Sequence, residues 1–296
     1  MTDNTTLIEK KWFKGTLCMV ATVIMFFVAG YQRKTGPSWP ISIDQTLEGH
    51  SIKGKLPRSH PGEGGELISL EADPEVAGDV KWRHYPSRDA WTVTPMVRTG
   101  GALIVELPKQ PPAGKLEYAV ELRSGKKSVT LPESETAVIR FRGDVPAGVL
   151  IPHIIFMFLA VTVVIRTGLG LLLREDEIGR FSLWVLIFLV PGGLVLGPMV
   201  QKFAFGVYWS GWPFGGDWTD NKTLFAVIFW VVALLLHRQK KVFAKYAVIL
   251  SVLVTLAVYL IPHSMHGSEI DWDKIEDSSG VAIEEILPIG EAGNSS

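Results

Sequence analysis

Two apolar stretches in the second half of the chain meet the same tripeptide. Ile151-Pro152-His153 opens one, Ile261-Pro262-His263 closes another, and His266 follows three residues after His263. Imidazole ligates zinc, copper and iron, haem iron included. Two histidines three apart on a turn, with a third from a neighbouring helix, could hold a metal, and Met265 could add a soft ligand. The plainer reading is structural: histidine sits comfortably at a membrane interface, and proline marks a helix boundary. No CxxCH or HExxH motif decides between them. The cofactor stays unknown at this level, and His153, His263 and His266 stand as metal candidates.

The densest signal is 202–223, KFAFGVYWSGWPFGGDWTDNKT. Seven aromatic residues are interleaved with four glycines, and the segment ends in Asp217, Asp220, Asn221 and Lys222. An aromatic belt at the bilayer surface explains the rings. It does not explain the glycines, which permit tight turns and close backbone approach, nor the charges. Asp220 suits the first turn of a helix, and Asp217 suits a turn after Gly215-Gly216. The binding candidates are Trp209, Trp212, Asp217, Asp220, Asn221 and Lys222. If 202–223 folds over the ends of neighbouring helices, Asp217 and Asp220 come close to His153 and His263 in one polar cluster.

These residues need elements to position them. Apolar runs cover 15–31, 149–165, 181–200, 224–236 and 247–261. A bilayer core of about 30 Å needs about 20 mostly apolar helical residues, so about five transmembrane helices are predicted. The run at 224–236 reaches that length only if 220–223 forms its first turn. Pro191-Gly192-Gly193 and Gly197-Pro198 should kink or break the third helix. The first run has a lysine-rich lead (Lys10, Lys11, Lys14) but a long core with bulky Met25-Phe26-Phe27, which fits an uncleaved signal anchor better than a cleaved peptide.

Residues 32–148 read as a domain. Period-two alternation recurs, most clearly in Leu116, Tyr118, Val120 and Leu122 and in Ala137, Ile139 and Phe141. Turn signals such as Thr99-Gly100-Gly101 and Arg123-Ser124-Gly125 separate the runs. About seven strands at this spacing predict an antiparallel β-sandwich. The pattern resembles an immunoglobulin or fibronectin type III sandwich, a likeness of architecture that implies no chemistry. Its core is expected around Trp82, Trp91, Tyr118 and Phe141, and 32–65 is expected to be a stalk with one edge strand. The predicted fold class is a membrane α-helical bundle plus an all-β sandwich lying between the first and second helices.

The predicted domains are 1–31 (cytoplasmic N-terminus and signal anchor), 32–148 (external sandwich with its stalk), 149–267 (four-helix region) and 268–296 (an acidic, solvated tail). Basic residues near 10–14, 174–180 and 238–245 favour a cytoplasmic N-terminus and an external C-terminus. This is the layout of a bacterial-type inner-membrane protein. Arg166 is expected to snorkel to the interface. Net charge is −1, which argues against a nucleic-acid partner. A single cysteine, Cys18, excludes an intramolecular disulfide. No nucleophile, base and orienting acid stand at recognisable spacing.

The first expectation for function is therefore a non-catalytic complex subunit or receptor-like module. Its partners would be the bilayer and a membrane or periplasmic protein. A redox or metal-handling component and a small-solute or ion transport component are the alternatives.

Overall fold

A computed structural model describes residues 11–133, 135–173, 178–214, 218–261, 270 and 272. It divides into two compact units. One comprises Met1–Gly36, Val145–Lys202 and Tyr208–Gly267; the other comprises Pro37–Asp144, Phe203–Val207 and Ser268–Ser296.

The first unit is helical: α1 (Lys11–Thr35), α2 (Ala147–Leu172), α3 (Ile178–Leu189), a π-helical turn (Val190–Leu196), α4 (Gly197–Phe205), α5 (Trp218–Arg238) and α6 (Ala244–Leu260). Four stretches are long and apolar enough to cross a membrane: Lys11–Thr35, Ala147–Leu172, Gly179–Phe205 and Asp220–Arg238. The helix Ala244–Leu260 is apolar but shorter. This makes four to five apolar helices, compatible with a membrane location. Their outward faces carry bare apolar side chains such as Phe26, Phe27, Ile155 and Phe225.

Pro191 does not break the third span. Proline lacks the N–H for the i→i−4 ladder, and the chain widens by one residue per turn instead, so that Gly197 N–H bonds the Gly192 carbonyl. Gly192 and Gly193 make this possible on the packed side. A Cβ on Gly193 would stand 2.4 Å from Thr223 Cγ2, and one on Gly192 2.8 Å from Phe156 Cβ. Between α5 and α6 the contact is polar as well as apolar. Trp230, fully buried, donates its Nε1–H to Thr255 Oγ1 at 2.8 Å, and Ser251 Oγ donates to the Phe229 carbonyl at 3.0 Å.

The second unit holds two sheets. Its strands are β1 (Ile41–Leu47), β2 (His50–Leu56), β3 (Ser59–Pro61), β4 (Glu66–Ala72), β5 (Ala77–His84), β6 (Thr92–Pro95), β7 (Val97–Thr99), β8 (Ala102–Leu107), β9 (Lys115–Ser124), β10 (Lys127–Leu131) and β11 (Ala137–Arg142). One sheet runs β1-β2-β4-β8-β7. The other runs β3-β11-β9-β5-β6, with β10 on β9. All pairings are antiparallel except β3 on β11. Both sheets feed one core, including Ile52, Ile68, Leu70 and Leu107 from the first and Leu116, Tyr118, Val120, Ile139 and Phe141 from the second.

Two sequence expectations fail here. The stalk is a hairpin: β1 and β2 pair along their length, Ile41 to Leu56 through Leu47 to His50. Glu48 and Gly49 both take positive φ, 52° and 90°, as a two-residue turn matching strand twist requires. Trp91 is not a core residue. It is 37% exposed, with Arg83 Cζ 4.6 Å and Lys81 Nζ 5.6 Å from its ring centroid. The segment 92–99 divides at Met96, so that β6 joins one sheet and β7 the other. Arg98 secures the adjacent turn by donating to the carbonyls of Ala72, Asp73 and Val76.

Tyr118 is the largest polar group in this core. Its hydroxyl donates to the Pro57 carbonyl at 2.7 Å. Burial, then the nearby charge of Glu66, hold the phenol well above the ordinary tyrosine range, against a smaller pull from Arg58. The folded chain therefore keeps this proton when the unfolded chain has lost it. The stability so stored is complete below the unfolded value near pH ~10 and falls above it by about 1.4 kcal/mol per pH unit. Tyr118→Phe is expected to flatten the alkaline limb of a chemical-denaturation series above that pH, at a cost of about 1 kcal/mol at neutral pH. Identical alkaline slopes in the two proteins would assign that limb to other groups.

Candidate functional site

The candidate site is built on the first turn of α5. Asp220 is 8% exposed. Its Oδ2 accepts the backbone N–H of Ser210 at 2.7 Å and of Gly211 at 3.1 Å, with Ser210 Oγ at 3.5 Å. Gln201, near the end of α4, donates from Nε2 to that same hydroxyl at 2.6 Å. Asn221 Oδ1 accepts the N–H of Trp212 at 2.7 Å, and Trp209 Nε1 donates to the Trp212 carbonyl at 3.2 Å. The preceding loop is thus hung on two consecutive side chains of α5. An acid at a helix N-terminus often caps its own helix; Asp220 also reaches back to bond the loop.

Gly211 is required by this geometry. A Cβ there would meet Asp220 Cβ at 2.7 Å and Asn221 Oδ1 at 2.8 Å. With the backbone held, the rings of Tyr208, Trp212 and Phe214 stand out; Trp212 is 71% exposed. Lys202 Nζ lies 5.4 Å from the Tyr208 ring centroid.

Lys222, next along α5, is buried and donates to the Ile261 carbonyl at 3.0 Å. Gln32 Nε2 donates to the carbonyls of Tyr259 (2.6 Å) and Ile261 (3.2 Å). The C-terminal end of α6, whose last carbonyls lack helical partners, is thus met from α1 and α5. Lys222 also lines a half-open crevice between α2, α3, α5 and α6, with Met157, Val164, Val185, Thr255 and Tyr259. Its volume is about 40 Å³, room for water-sized occupants.

His153 lies in the first turns of α2. Its Nδ1 is 2.9 Å from the Gly192 carbonyl of the π-turn. A carbonyl only accepts, so Nδ1 carries the proton and the neutral ring keeps its lone pair on Nε2. That is the tautomer a metal ligand needs. Its proposed co-ligands His263 and His266, and Asp217 of the loop, lie outside the described residues. Among the described residues no group of three or more His, Cys, Asp or Glu could hold a metal ion. Asp220 bonds Ser210 and Gly211, and His153 bonds Gly192.

Three features escape sequence reasoning. Arg166 does not snorkel: it is 3% exposed, with its guanidinium 5.1 Å from the Phe181 ring centroid. The segment Phe203–Val207 belongs with the sheet unit. There Gly143 N–H donates to the Ala204 carbonyl at 2.9 Å and Arg140 stacks on Phe205 at 3.9 Å. Ile270 and Trp272, expected in a solvated tail, are buried. Trp272 also stacks on His84 at 4.1 Å. The histidines of the sheet unit each face a carboxylate: His50 with Asp73 at 3.3 Å, His60 with Glu66, and His84 with Asp89 at 2.6 Å.

Comparison with known proteins adds no relative. No family model matches the chain, and no curated protein or solved structure is similar to it.

Removing the Asp220 carboxylate strands two buried N–H groups, and bonds to a charged acceptor are worth about 1.5–3 kcal/mol each. In Asp220→Ala the amides of Ser210 and Gly211 are expected to exchange hydrogen faster by roughly one to two orders of magnitude. Asp220→Asn, which keeps one acceptor oxygen, should lie between. Unchanged exchange in Asp220→Ala would mean that other bonds hold the loop.

Proposed function

We propose that this chain is a multi-pass inner-membrane protein of bacterial type that works as a non-catalytic complex subunit or receptor-like module. It would present its sheet unit and the aromatic loop to a membrane or periplasmic protein. In this reading α1 is a signal anchor, the N-terminus is cytoplasmic and the C-terminus external, as the basic residues favour. The sheet unit is an immunoglobulin- or fibronectin III-like sandwich, a reading supported by two sheets sharing one core.

One observation carries the proposal. Asp220 and Asn221 hold the loop's backbone, and what that fixed backbone displays among the described residues is apolar: Tyr208, Trp212 and Phe214. A solute pathway would keep charge available along a channel. A docking surface needs rigid aromatic anchors held at low entropic cost. A photo-crosslinking amino acid at Trp212, in cells, is expected to give an adduct with one protein of defined mass. Lipid adducts alone would reduce the loop to an interfacial belt.

His153 favours a second reading, a metal- or haem-handling component, because its Nε2 is left as the ligating nitrogen. Its chemistry would need His263 and His266. Metal analysis and an optical spectrum of the purified protein test it: stoichiometric metal or a Soret band, lost in His153→Ala, supports it. Neither signal in protein purified without chelator removes it.

A further inference from the structure

The half-open crevice between α2, α3, α5 and α6 is graded along its length. On α2 it follows Met157, Ala160, Val161 and Val164, the spacing of a single helix face. Seven residues of helix rise about 10 Å, so the crevice runs along the helices and not across them. Its levels follow from the close contacts of the π-turn. Met157 and Thr223 both border Gly193, so the first turn of α5, with Lys222, stands at the Met157 end. Val164 and Val185 line the other end.

The two ends differ in chemistry. At the deep end the walls are aliphatic, and the Thr255 hydroxyl is spent within the bundle: it accepts from Trp230 Nε1 and donates to the Ser251 carbonyl. At the other end stands the buried ammonium of Lys222, beside Thr223 and Tyr259. Lys222 donates to the Ile261 carbonyl at 3.0 Å; an ammonium has three N–H groups, so an anion can share it with that neutral acceptor. The crevice is also narrow. A water-sized body centres in only about 40 Å³ of it, whereas the space between its walls, open mouth included, is about 470 Å³. A slot of this form suits a methylene chain better than a rounded polar solute. An apolar slot left empty forfeits dispersion contacts along both walls.

We propose that this crevice binds one chain of an anionic membrane lipid, with the lipid's phosphate on Lys222. The occupant follows from the setting: the four walls belong to apolar helices of membrane-spanning composition, and the one cation lining the crevice stands in the first turn of such a helix, the level at which lipid phosphates lie. This goes beyond the presentation of the aromatic loop.

The test uses the full chain in phosphatidylcholine nanodiscs. Two photoactivatable lipids are compared, a phosphatidylglycerol and a phosphatidylcholine with the same diazirine-bearing chain. Adducts on 157–164 are expected to favour the anionic probe by roughly five- to tenfold. The preference should persist at about 1 M salt, where surface attraction is screened within about 3 Å. Lys222→Met should bring the two probes level, and Lys222→Arg should keep the preference. Ala226→Leu narrows the crevice and leaves Lys222 in place. It should remove adducts on 157–164 from both probes and spare those on Phe27, an outward residue of α1. Equal labelling of 157–164 by the two probes in the unaltered chain overturns the proposal. So do adducts confined to outward residues such as Phe27. If Lys222→Met loses its helicity, Ala226→Leu decides, and undiminished labelling of 157–164 there overturns it as well. None of these outcomes touches Trp212, so this proposal and the docking role of the loop fall separately.

Discussion

A carboxylate withdrawn from water at the head of a helix must be met by donors, and at Asp220 those donors include another segment's backbone. Leaving a buried charged group unmet costs several kcal/mol, more than most single contacts contribute, so this requirement outranks the loop's own preferences. It draws Ser210 and Gly211 onto α5. It demands glycine at 211, and Asn221 takes up the next amide. Once those bonds are made, the remaining freedom is in side chains, and the rings of Tyr208, Trp212 and Phe214 are what the loop has left to show.

The same accounting governs the third span. Pro191 leaves its helix one donor short, and the π-turn redistributes the deficit. The Gly192 carbonyl receives the N–H of Gly197 and the Nδ1–H of His153. The glycines that let the turn widen also let α2 and Thr223 of α5 approach it. One local defect therefore sets the packing of two neighbours and the tautomer of the histidine on one of them. Between α5 and α6, Trp230, Thr255 and Ser251 hide their polar atoms in one another or in helix carbonyls, which lets an indole occupy the middle of an apolar bundle.

The helices and most strands were legible because burial writes a period into the sequence. Leu116, Tyr118, Val120 and Leu122 alternate, and all are buried. The β1–β2 hairpin was hidden because Glu48-Gly49 lacks the Asn or Asp that normally announces such a turn. Trp91 misled because a large ring was read as core, whereas Arg83 and Lys81 hold it on the surface. At the loop, the residue types were legible and their roles were not. Aspartate as a helix cap and aspartate as a backbone clamp look identical in sequence, since the deciding partners, amides at 210 and 211, have no letter of their own. Arg166 was misplaced for a related reason: a neighbouring ring, Phe181, offers what snorkelling would otherwise provide.

The sheet unit's edges bear on how it can meet a partner. A strand edge invites pairing by another chain unless it is short or interrupted. Here one segment closes both sheets on the same side. Four residues, Thr92–Pro95, pair with β5; Met96 then crosses, its N–H bonded to the Gly78 carbonyl; three residues, Val97–Thr99, pair with β8. Pro95 brings no N–H to the outer side. Neither edge is long enough to template a strand. Recognition at this end of the unit therefore has to use side chains, which is where Trp91, Val93 and Lys81 are placed. A partner would meet a patterned face whose charge and shape can discriminate, rather than a backbone ladder that accepts any extended sequence.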